Sequence, residues 1–298
     1  MTTTLATPTA SQLPAVVATL ATWQRDGLPV QLHPGDLGWA WQLGADALAA
    51  RVRTWHDGAG LLAAVGFLDG DTVLRLGLDP DRSDDEELAD AVAHDLVDPG
   101  RGVLPDGEAA VEARLGAALH AWLVAHGWVD DEPWTPLVLD LATAPEVPAS
   151  IAVEVVDGGD RDAVDLAVAT HASGFERSRF TRERWGAMAA GPAFAGARCL
   201  LARAVSGPRA GDAVATTIVW SAGPGRPGLI EPLSVSRDHR GHGYGRALTV
   251  AAASHLRAMG ASGVSVATPS DNAGAVATYR SAGMRELASV RDLRRQTT

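Results

Sequence analysis

The fold of the second half of this chain is decided by the stretch LSVSRDHRGHGYGRALTVAAASHLRAMG, residues 233–260. The stretch begins as a short apolar strand, passes through a loop rich in glycine, and continues with apolar residues at helical spacing. Glycines let a backbone approach a ligand closely, and the amide groups at the start of a helix attract anions. The pattern therefore predicts a strand–loop–helix unit that binds phosphate groups.

Other interpretations of this loop are weaker. A bare strand-to-helix turn also uses glycine, but it does not require the flanking Arg240 and Arg246. A dinucleotide-binding loop needs a third glycine where this chain has Arg246, and it needs a βαβ unit that the chain does not suggest. The chain contains no lysine, which excludes a GxxxxGK(S/T) phosphate loop and with it P-loop kinases and ATPases.

With these residues in view, the second half resembles the GNAT superfamily of N-acetyltransferases. The family's acetyl-CoA motif, Q/R-x-x-G-x-G/A, is matched by RGHGYG at 240–245. Downstream, Asn272 opens a predicted helix, Tyr279 follows at helical spacing, and Gly-Met at 283–284 stands where the family has Gly-Phe. The resemblance covers about 150 residues and implies that acetyl-CoA is the cosubstrate.

The resemblance also implies which residues act. The acetyl-CoA-binding candidates are Leu233, Ser234, Val235, Arg240, Gly241, His242, Gly243, Tyr244, Gly245, Arg246, Asn272 and Tyr279. Tyr279 resembles the family's general acid, and the alternative is a core tyrosine with a bonded hydroxyl. We expect no metal site.

Glu231 is the candidate general base. Alternation along the strand places it on the same face as Leu233 and Val235, from which it could accept the proton of the acceptor amine. It lies nearer to the glycine motif than the glutamate of many family members. A surface glutamate, or one that positions the acceptor, is therefore an equally weighted alternative.

Charge divides the 298 residues into two unlike parts. Residues 1–150 hold 23 acidic residues and 7 arginines, whereas residues 151–298 hold 13 and 18. The acidic first half argues against a nucleic-acid partner, and the apolar runs are too short to cross a membrane. The second half suits a polyphosphate ligand. We expect a cytoplasmic protein.

The segment 142–150, ATAPEVPAS, predicts a boundary between a degenerate GNAT-like domain at 1–145 and a catalytic domain at 146–298. The second half reads as β-α-α-β-β-β-α-β-α-β, a mixed α/β fold ending in a strand over 284–293. The first half echoes this ending with a predicted helix over 108–128 and a strand over 135–141. The tandem layout is similar to that of mycothiol synthases, which does not fix the substrate.

Within the first half, the acidic segment 79–90 replaces any phosphate loop and is expected to be structural or to form one wall of the acceptor pocket. His33 and Asp36 are expected to form a turn. In the second half, His171 and Glu176 are candidates for lining the acceptor cleft, and Cys199 is expected to be a buried apolar residue.

The sequence thus predicts an N-acetyltransferase that moves an acetyl group from acetyl-CoA to the primary amine of a small molecule by direct transfer. The alternative is a non-catalytic acyl-CoA-binding regulator or sensor. The sequence leaves the oligomeric state open, a homodimer included.

Overall fold

The computed structural model describes residues 3–296. Its helices are α1 (Leu13–Trp23), α2 (Pro34–Ala40), α3 (Ala45–Arg51), α4 (Glu86–Val97), α5 (Ala117–Ala125), α6 (Arg161–Gly174), α7 (Arg182–Ala189), α8 (Tyr244–Ala258) and α9 (Ala273–Ser281). Within residues 3–296, no helix is both long and apolar enough to cross a membrane.

The strands are β1 (Thr4–Ala6), β2 (Val52–His56), β3 (Leu62–Asp69), β4 (Val73–Leu78), β5 (Ala110–Glu112), β6 (Trp128–Asp140), β7 (Ile151–Val155), β8 (Ala197–Ala204), β9 (Ala213–Trp220), β10 (Gly228–Val235), β11 (Gly263–Pro269), β12 (Arg285–Glu286) and β13 (Val290–Arg295). They form one continuous sheet in the order β1-β2-β3-β4-β5-β13-β6-β11-β10-β9-β8-β7, and β12 also pairs with β6. Each half begins with a strand and helices, three helices in the first half and two in the second, and then follows the same order of three strands, helix, strand, helix and strand, which confirms the predicted mixed α/β fold and tandem layout.

The two halves exchange their last strands. β6, the final strand of the first half, pairs antiparallel with β11 of the second half. The pairing covers the whole of β11, from Gly263 opposite Asp140 to Pro269 opposite Trp134. β13, the final strand of the second half, pairs with β5, where Leu293 lies opposite Val111. Neither half therefore has a complete sheet by itself.

The hydrophobic core also crosses between the halves. One cluster joins residues of α1, α2 and β3 to residues of α6, α7, β8 and β9. A second lies under α8 and α9, and a third packs first-half strands against α4 and α5 and includes Leu293 from β13. Burial of apolar area, the main stabilising contribution to folding, therefore links the two halves.

The predicted elements of the second half agree with the structure up to α9. The predicted single strand over 284–293 is instead two strands, because the chain leaves the sheet after β12 and pairs again as β13, which starts at Val290 and crosses to the first half. The predicted helix over 108–128 is present as α5 but starts later than predicted. Residues 110–112 form β5, and Gly116, with φ of 107°, starts the helix α5 only at Ala117. The segment 142–150 contains neither helix nor strand, and the domain limits remain a prediction.

Candidate active site

β10 and β11 separate early along their length. They pair in parallel only at Gly228 with Val264 and at Leu229 with Ser265. Both strands continue beyond these positions but no longer pair with each other. The side of β10 that faces β11 thus leaves backbone N–H and C=O groups available beyond Leu229. An extended ligand can pair with such an edge as an added strand would.

β10 contains a bulge that redirects its side chains. Its register with β9 shifts between Ile230 and Leu233, and Pro232, which has no N–H, lies inside the shift. Ile230, Leu233 and Val235 consequently pack towards α8, whereas Glu231 faces the first half. The predicted placement of Glu231 on the same face as Leu233 and Val235 was therefore wrong, because the extra residue of the bulge reverses the alternation.

The glycine loop (residues 240–246) joins β10 to α8. Gly241 and Gly243 have φ of 78° and 79°, a conformation that glycine adopts without strain. A Cβ at Gly243 would have no atom within 4 Å, so open space lies beside the first turn of α8 and its free amide groups. At Gly245, by contrast, a Cβ would lie 3.0 Å from Cγ2 of Thr278. Gly245 thus allows α8 to pack against α9.

Polar side chains tie the glycine loop to its surroundings. Arg240 Nη2 donates to the carbonyl of Gly174 at 2.6 Å, and Arg246 Nε donates to the carbonyl of Ser281 at 2.8 Å. His242 is exposed and its ring stacks on that of Tyr244, which is buried. Both arginines are exposed, so their positive charge lies beside the loop.

The remaining cofactor candidates lie on β10 and at the start and within the length of α9. Asn272 caps α9, since its Oδ1 accepts a hydrogen bond from the amide of Ala275 at 3.1 Å. Ser234 directs its hydroxyl away from the opening and donates to the carbonyl of His171 at 3.1 Å. Tyr279 is 8% exposed, and burial, followed by the negative charge of Glu231, raises the pKa of its phenol above the ordinary value. Tyr279 therefore keeps its proton at neutral pH.

On the Glu231 side of the opening lies a cavity of about 250 Å³, the central cavity. It is lined by Val30, Gln31, Asp36, Asp69, Val73, Arg75, Glu112, Arg114, Trp134, Leu229, Glu231 and Ala267. Its walls come from both halves of the chain.

Arg75 lies at the centre of the charged groups in this cavity. Its Nη2 is 3.0 Å from Asp36 Oδ1, and its Nε is 3.3 Å from Glu112 Oε2. Its Nη1 is 3.7 Å from Asp69 Oδ2 and 3.8 Å from Glu231 Oε1. One guanidinium thus holds carboxylates from three separate segments of the first half against a carboxyl group of the second.

These surroundings change the acidity of Glu231. Burial raises the pKa of its carboxyl group to about 8, with help from the repulsion of Asp36 and Asp69 and against the attraction of Arg75. The side chain is 33% exposed, and it lines the central cavity. A carboxyl group with this pKa is suited to accepting a proton near neutral pH.

Sequence reasoning missed Arg75 and underrated Asp36. The predicted turn at His33 and Asp36 is the start of α2, where the backbone N–H of His33 donates to Asp36 and the ring of His33 accepts from Gly35 at 2.9 Å. The spacing of a helix cap was therefore visible in the sequence. The contact between Asp36 and Arg75 was not, because these residues are brought together only by the fold.

Helix α2 of the first half supports the bulge of β10 indirectly, through Trp220 of β9. The indole Nε1 of Trp220 donates to the carbonyl of Glu231 at 2.6 Å. Helix α2 approaches this indole closely through Gly35 and Gly38, where a Cβ would lie 2.5 Å and 2.4 Å from ring atoms of Trp220. Glycine at both positions thus permits the packing that holds the backbone of Glu231.

The other residues singled out in the sequence lie elsewhere. His171 is buried among aromatic rings, and burial lowers its pKa to about 4. Glu176 is exposed and lies 3.5 Å from Arg237. The acidic segment 79–90 does not line the central cavity; its Asp85 caps α4, which supports the structural alternative. Cys199 is buried, and burial raises the pKa of its thiol to about 11.

Comparison with known proteins agrees with this architecture. Residues 165–284 match the family model described as "Acetyltransferase (GNAT) family". A mycothiol acetyltransferase of Cellulomonas flavigena is 29% identical over 297 residues, an alignment that covers 90% of this chain and 81% of the relative.

Two solved structures share the fold over nearly the whole chain. A tandem GNAT protein from the clavulanic acid biosynthesis pathway has a TM-score of 0.61 and 18% identity, with 99% of this chain and 98% of that one covered. A GCN5-related N-acetyltransferase from Sphaerobacter thermophilus has a TM-score of 0.55 and 21% identity, with 98% and 95% covered. These likenesses show a match to the GNAT acetyltransferase family over residues 165–284 and a fold shared with tandem GNAT proteins over nearly the whole chain.

Proposed function

We propose that this protein transfers an acetyl group from acetyl-CoA to the primary amine of a small molecule held in the central cavity. The observation that carries the proposal is the position of Glu231, whose carboxyl group lines the central cavity from the strand that borders the opening between β10 and β11. The glycine loop and the first turn of α8 follow directly at the end of that strand.

The residues around the opening fit acetyl-CoA. Members of the GNAT family use this cosubstrate, which supplies an acetyl thioester when bound. In our proposal the glycine loop and the first turn of α8 hold its phosphates, because both offer amide groups and open space beside Gly243. The free backbone edge of Leu233, Ser234 and Val235 pairs with its extended arm.

Proton transfer is assigned to Glu231 and Tyr279. The acceptor amine must lose a proton to act as a nucleophile, and the Glu231 carboxylate is the group in the cavity with a suitable pKa. The departing sulfur must gain a proton, and Tyr279 is a buried hydroxyl that stays protonated. Its raised pKa makes the phenol a weaker acid than a thiol, so in our proposal it donates a hydrogen bond to the departing sulfur and gives up its proton only with stabilisation from the site.

Direct transfer is favoured over a covalent acyl-enzyme. The chain has a single cysteine, Cys199, and burial raises the pKa of its thiol to about 11, so very little thiolate exists at neutral pH. The position of the Glu231 carboxyl group in the cavity that receives the acceptor supports attack by the amine itself.

A small acceptor is favoured by the cavity. A volume of about 250 Å³ accommodates a compact polar molecule, and its walls come from both halves of the chain. The C. flavigena relative is named as a mycothiol acetyltransferase, which is consistent with an acceptor that is not a protein.

The experiment that tests the proposal is release of free thiol from acetyl-CoA in the presence of a panel of small primary amines. We expect amine-dependent release in the native protein and a loss of about 10²- to 10⁴-fold in Glu231→Gln. Calorimetry with acetyl-CoA on the same samples serves as the control for binding. Tight binding of acetyl-CoA without release for any amine would favour the non-catalytic sensor instead.

A further inference from the structure

We infer that the acceptor carries a second positive charge besides the amine that is acetylated, and that this charge binds beside Asp69 and Asp36 in the central cavity. The inference rests on the proposed function, because it names the chemical class of acceptor for the same site.

The first argument is an excess of carboxyl groups. Among the described residues that line the central cavity, Asp36, Asp69, Glu112 and Glu231 are acidic and only Arg75 and Arg114 are basic. Even when Glu231 is protonated, as its raised pKa favours at pH 7, three carboxylates face two arginines, and a cation that enters this cavity would balance the remaining negative charge.

Arg114 does little to reduce this excess. Its side chain is 3% exposed and lies 3.4 Å from Glu112 and 3.5 Å from Asp292, a further acidic residue outside the cavity lining. Its guanidinium lies over the ring of Trp134, 5.2 Å from the centroid. The positive charge of Arg114 is thus partly balanced by Asp292, and the cluster around Arg75 keeps its negative charge.

The second argument is the state of Asp36. Its side chain is 1% exposed, and the contact of Oδ1 with Arg75 Nη2 at 3.0 Å lacks hydrogen-bond geometry, so its donor within the protein is the carboxyl group of Glu231 while that group holds its proton. When Glu231 ionises to act as the base, this donor is lost, and because a buried carboxylate oxygen without a hydrogen bond is costly, a donor from a ligand would satisfy it. Asp36 lines the central cavity, so a bound cation can supply that donor.

The third argument is the spacing of the acids. Asp69 and Glu231 both approach the same nitrogen, Nη1 of Arg75, at 3.7 Å and 3.8 Å. Asp69 is 58% exposed, which places it where the cavity meets solvent. A short molecule with its reacting amine at Glu231 therefore presents its other end to Asp69.

An acidic acceptor fits this arrangement poorly. Each of the three nitrogens of Arg75 already faces a carboxyl group of the protein. A carboxylate on the acceptor would have to displace one of these groups and would meet the others at close range, where like charges repel. The arrangement thus favours a diamine or an amino compound with a second cationic group.

The test compares three acceptors with the same four-carbon spacing: 1,4-diaminobutane, butylamine and 4-aminobutyrate. We expect kcat/KM from thiol release to be at least about tenfold higher for the diamine than for butylamine, and lowest for 4-aminobutyrate. Asp69→Asn should reduce the ratio of diamine to butylamine to less than about threefold. Asp71→Asn is the matched control, since Asp71 is 96% exposed and does not line the cavity, and it should leave the ratio unchanged.

Equal kcat/KM values for the diamine and butylamine, or an unchanged ratio in Asp69→Asn, would overturn the inference and leave the proposed function intact. If none of the amines is acetylated, the proposed function fails, and calorimetry with the same three compounds still decides the inference. In that case the inference requires that 1,4-diaminobutane binds at least about tenfold more tightly than butylamine and that Asp69→Asn abolishes this difference in affinity. Equal affinities would refute it.

Discussion

The raised pKa of Glu231 predicts a steep dependence of activity on pH. Because the ionised carboxylate accepts the proton, kcat/KM should fall as the pH decreases through about 8. With this pKa, about a tenth of the carboxyl groups are ionised at pH 7 and about a hundredth at pH 6, so the contribution of Glu231 to kcat/KM should drop roughly 50-fold between pH 8 and pH 6, in addition to any change from ionisation of the free amine. A glutamate with an ordinary pKa would be fully ionised over this range and would produce no change.

Two substitutions in the central cavity should move this pH dependence in opposite directions. Asp36→Asn removes a negative charge that opposes ionisation of Glu231, so the midpoint should shift to lower pH. Arg75→Met removes the positive charge that favours ionisation, so the midpoint should shift to higher pH. Asparagine at position 36 can still accept the backbone hydrogen bond at the start of α2, which keeps the helix cap.

The assay is thiol release at saturating acetyl-CoA, with one amine, between pH 5.5 and pH 9.5. The ionisation of the free amine affects all variants equally, so only differences between profiles report on the enzyme. Circular dichroism checks that Arg75→Met is folded. The same midpoint in the native protein and both variants would refute the assignment, as would a Glu231→Gln variant with the native profile.

Three further predictions concern other parts of the molecule. Gly243→Val should weaken acetyl-CoA binding at least about tenfold by calorimetry, because a side chain would enter the space beside the loop at a φ of 79°, and unchanged affinity in a folded variant would contradict the cofactor placement. Tyr279→Phe should lower kcat about 10²- to 10⁴-fold with little change in acetyl-CoA affinity, and native turnover would leave Tyr279 a packing residue. Leu293→Ala should lower the free energy of unfolding in urea by about 2–5 kcal/mol, against less than about 0.5 kcal/mol for the exposed control Val205→Ala, and equal stabilities would argue against the exchange of β13.

Local chemistry explains which features the sequence could predict. Asp160 and Thr181 cap α6 and α7 by accepting hydrogen bonds from amides two or three residues further on, and both caps, like the glycine loop, depend on residues that are neighbours in the chain. The direction of Glu231 depends on a bulge whose extra residue reverses the strand's alternation. Pro232 lies inside this bulge, and a proline is typical of a disrupted strand ladder but does not determine how many residues the bulge contains.

Contacts that are distant in the chain could not be predicted. Arg75 lies in the middle of β4, where alternation predicts only a half-buried side chain. Its role follows from the meeting of β4, α2 and β10 in the folded protein. The exchange of β6 and β13 likewise has no signal in the strands themselves, since either partner strand satisfies the same backbone hydrogen bonds.

The two halves act as one structural unit, and this changes how the site can be tested. A chain of residues 146–298 would lack β6, which pairs with β11, and would lose the α2 helix that packs against Trp220. Loss of activity in that fragment would therefore report an incomplete sheet and a displaced Glu231, whether or not the first half contacts the acceptor. Point substitutions in the central cavity avoid this ambiguity, because they change the charge around Arg75 while the exchanged strands and the shared core stay in place.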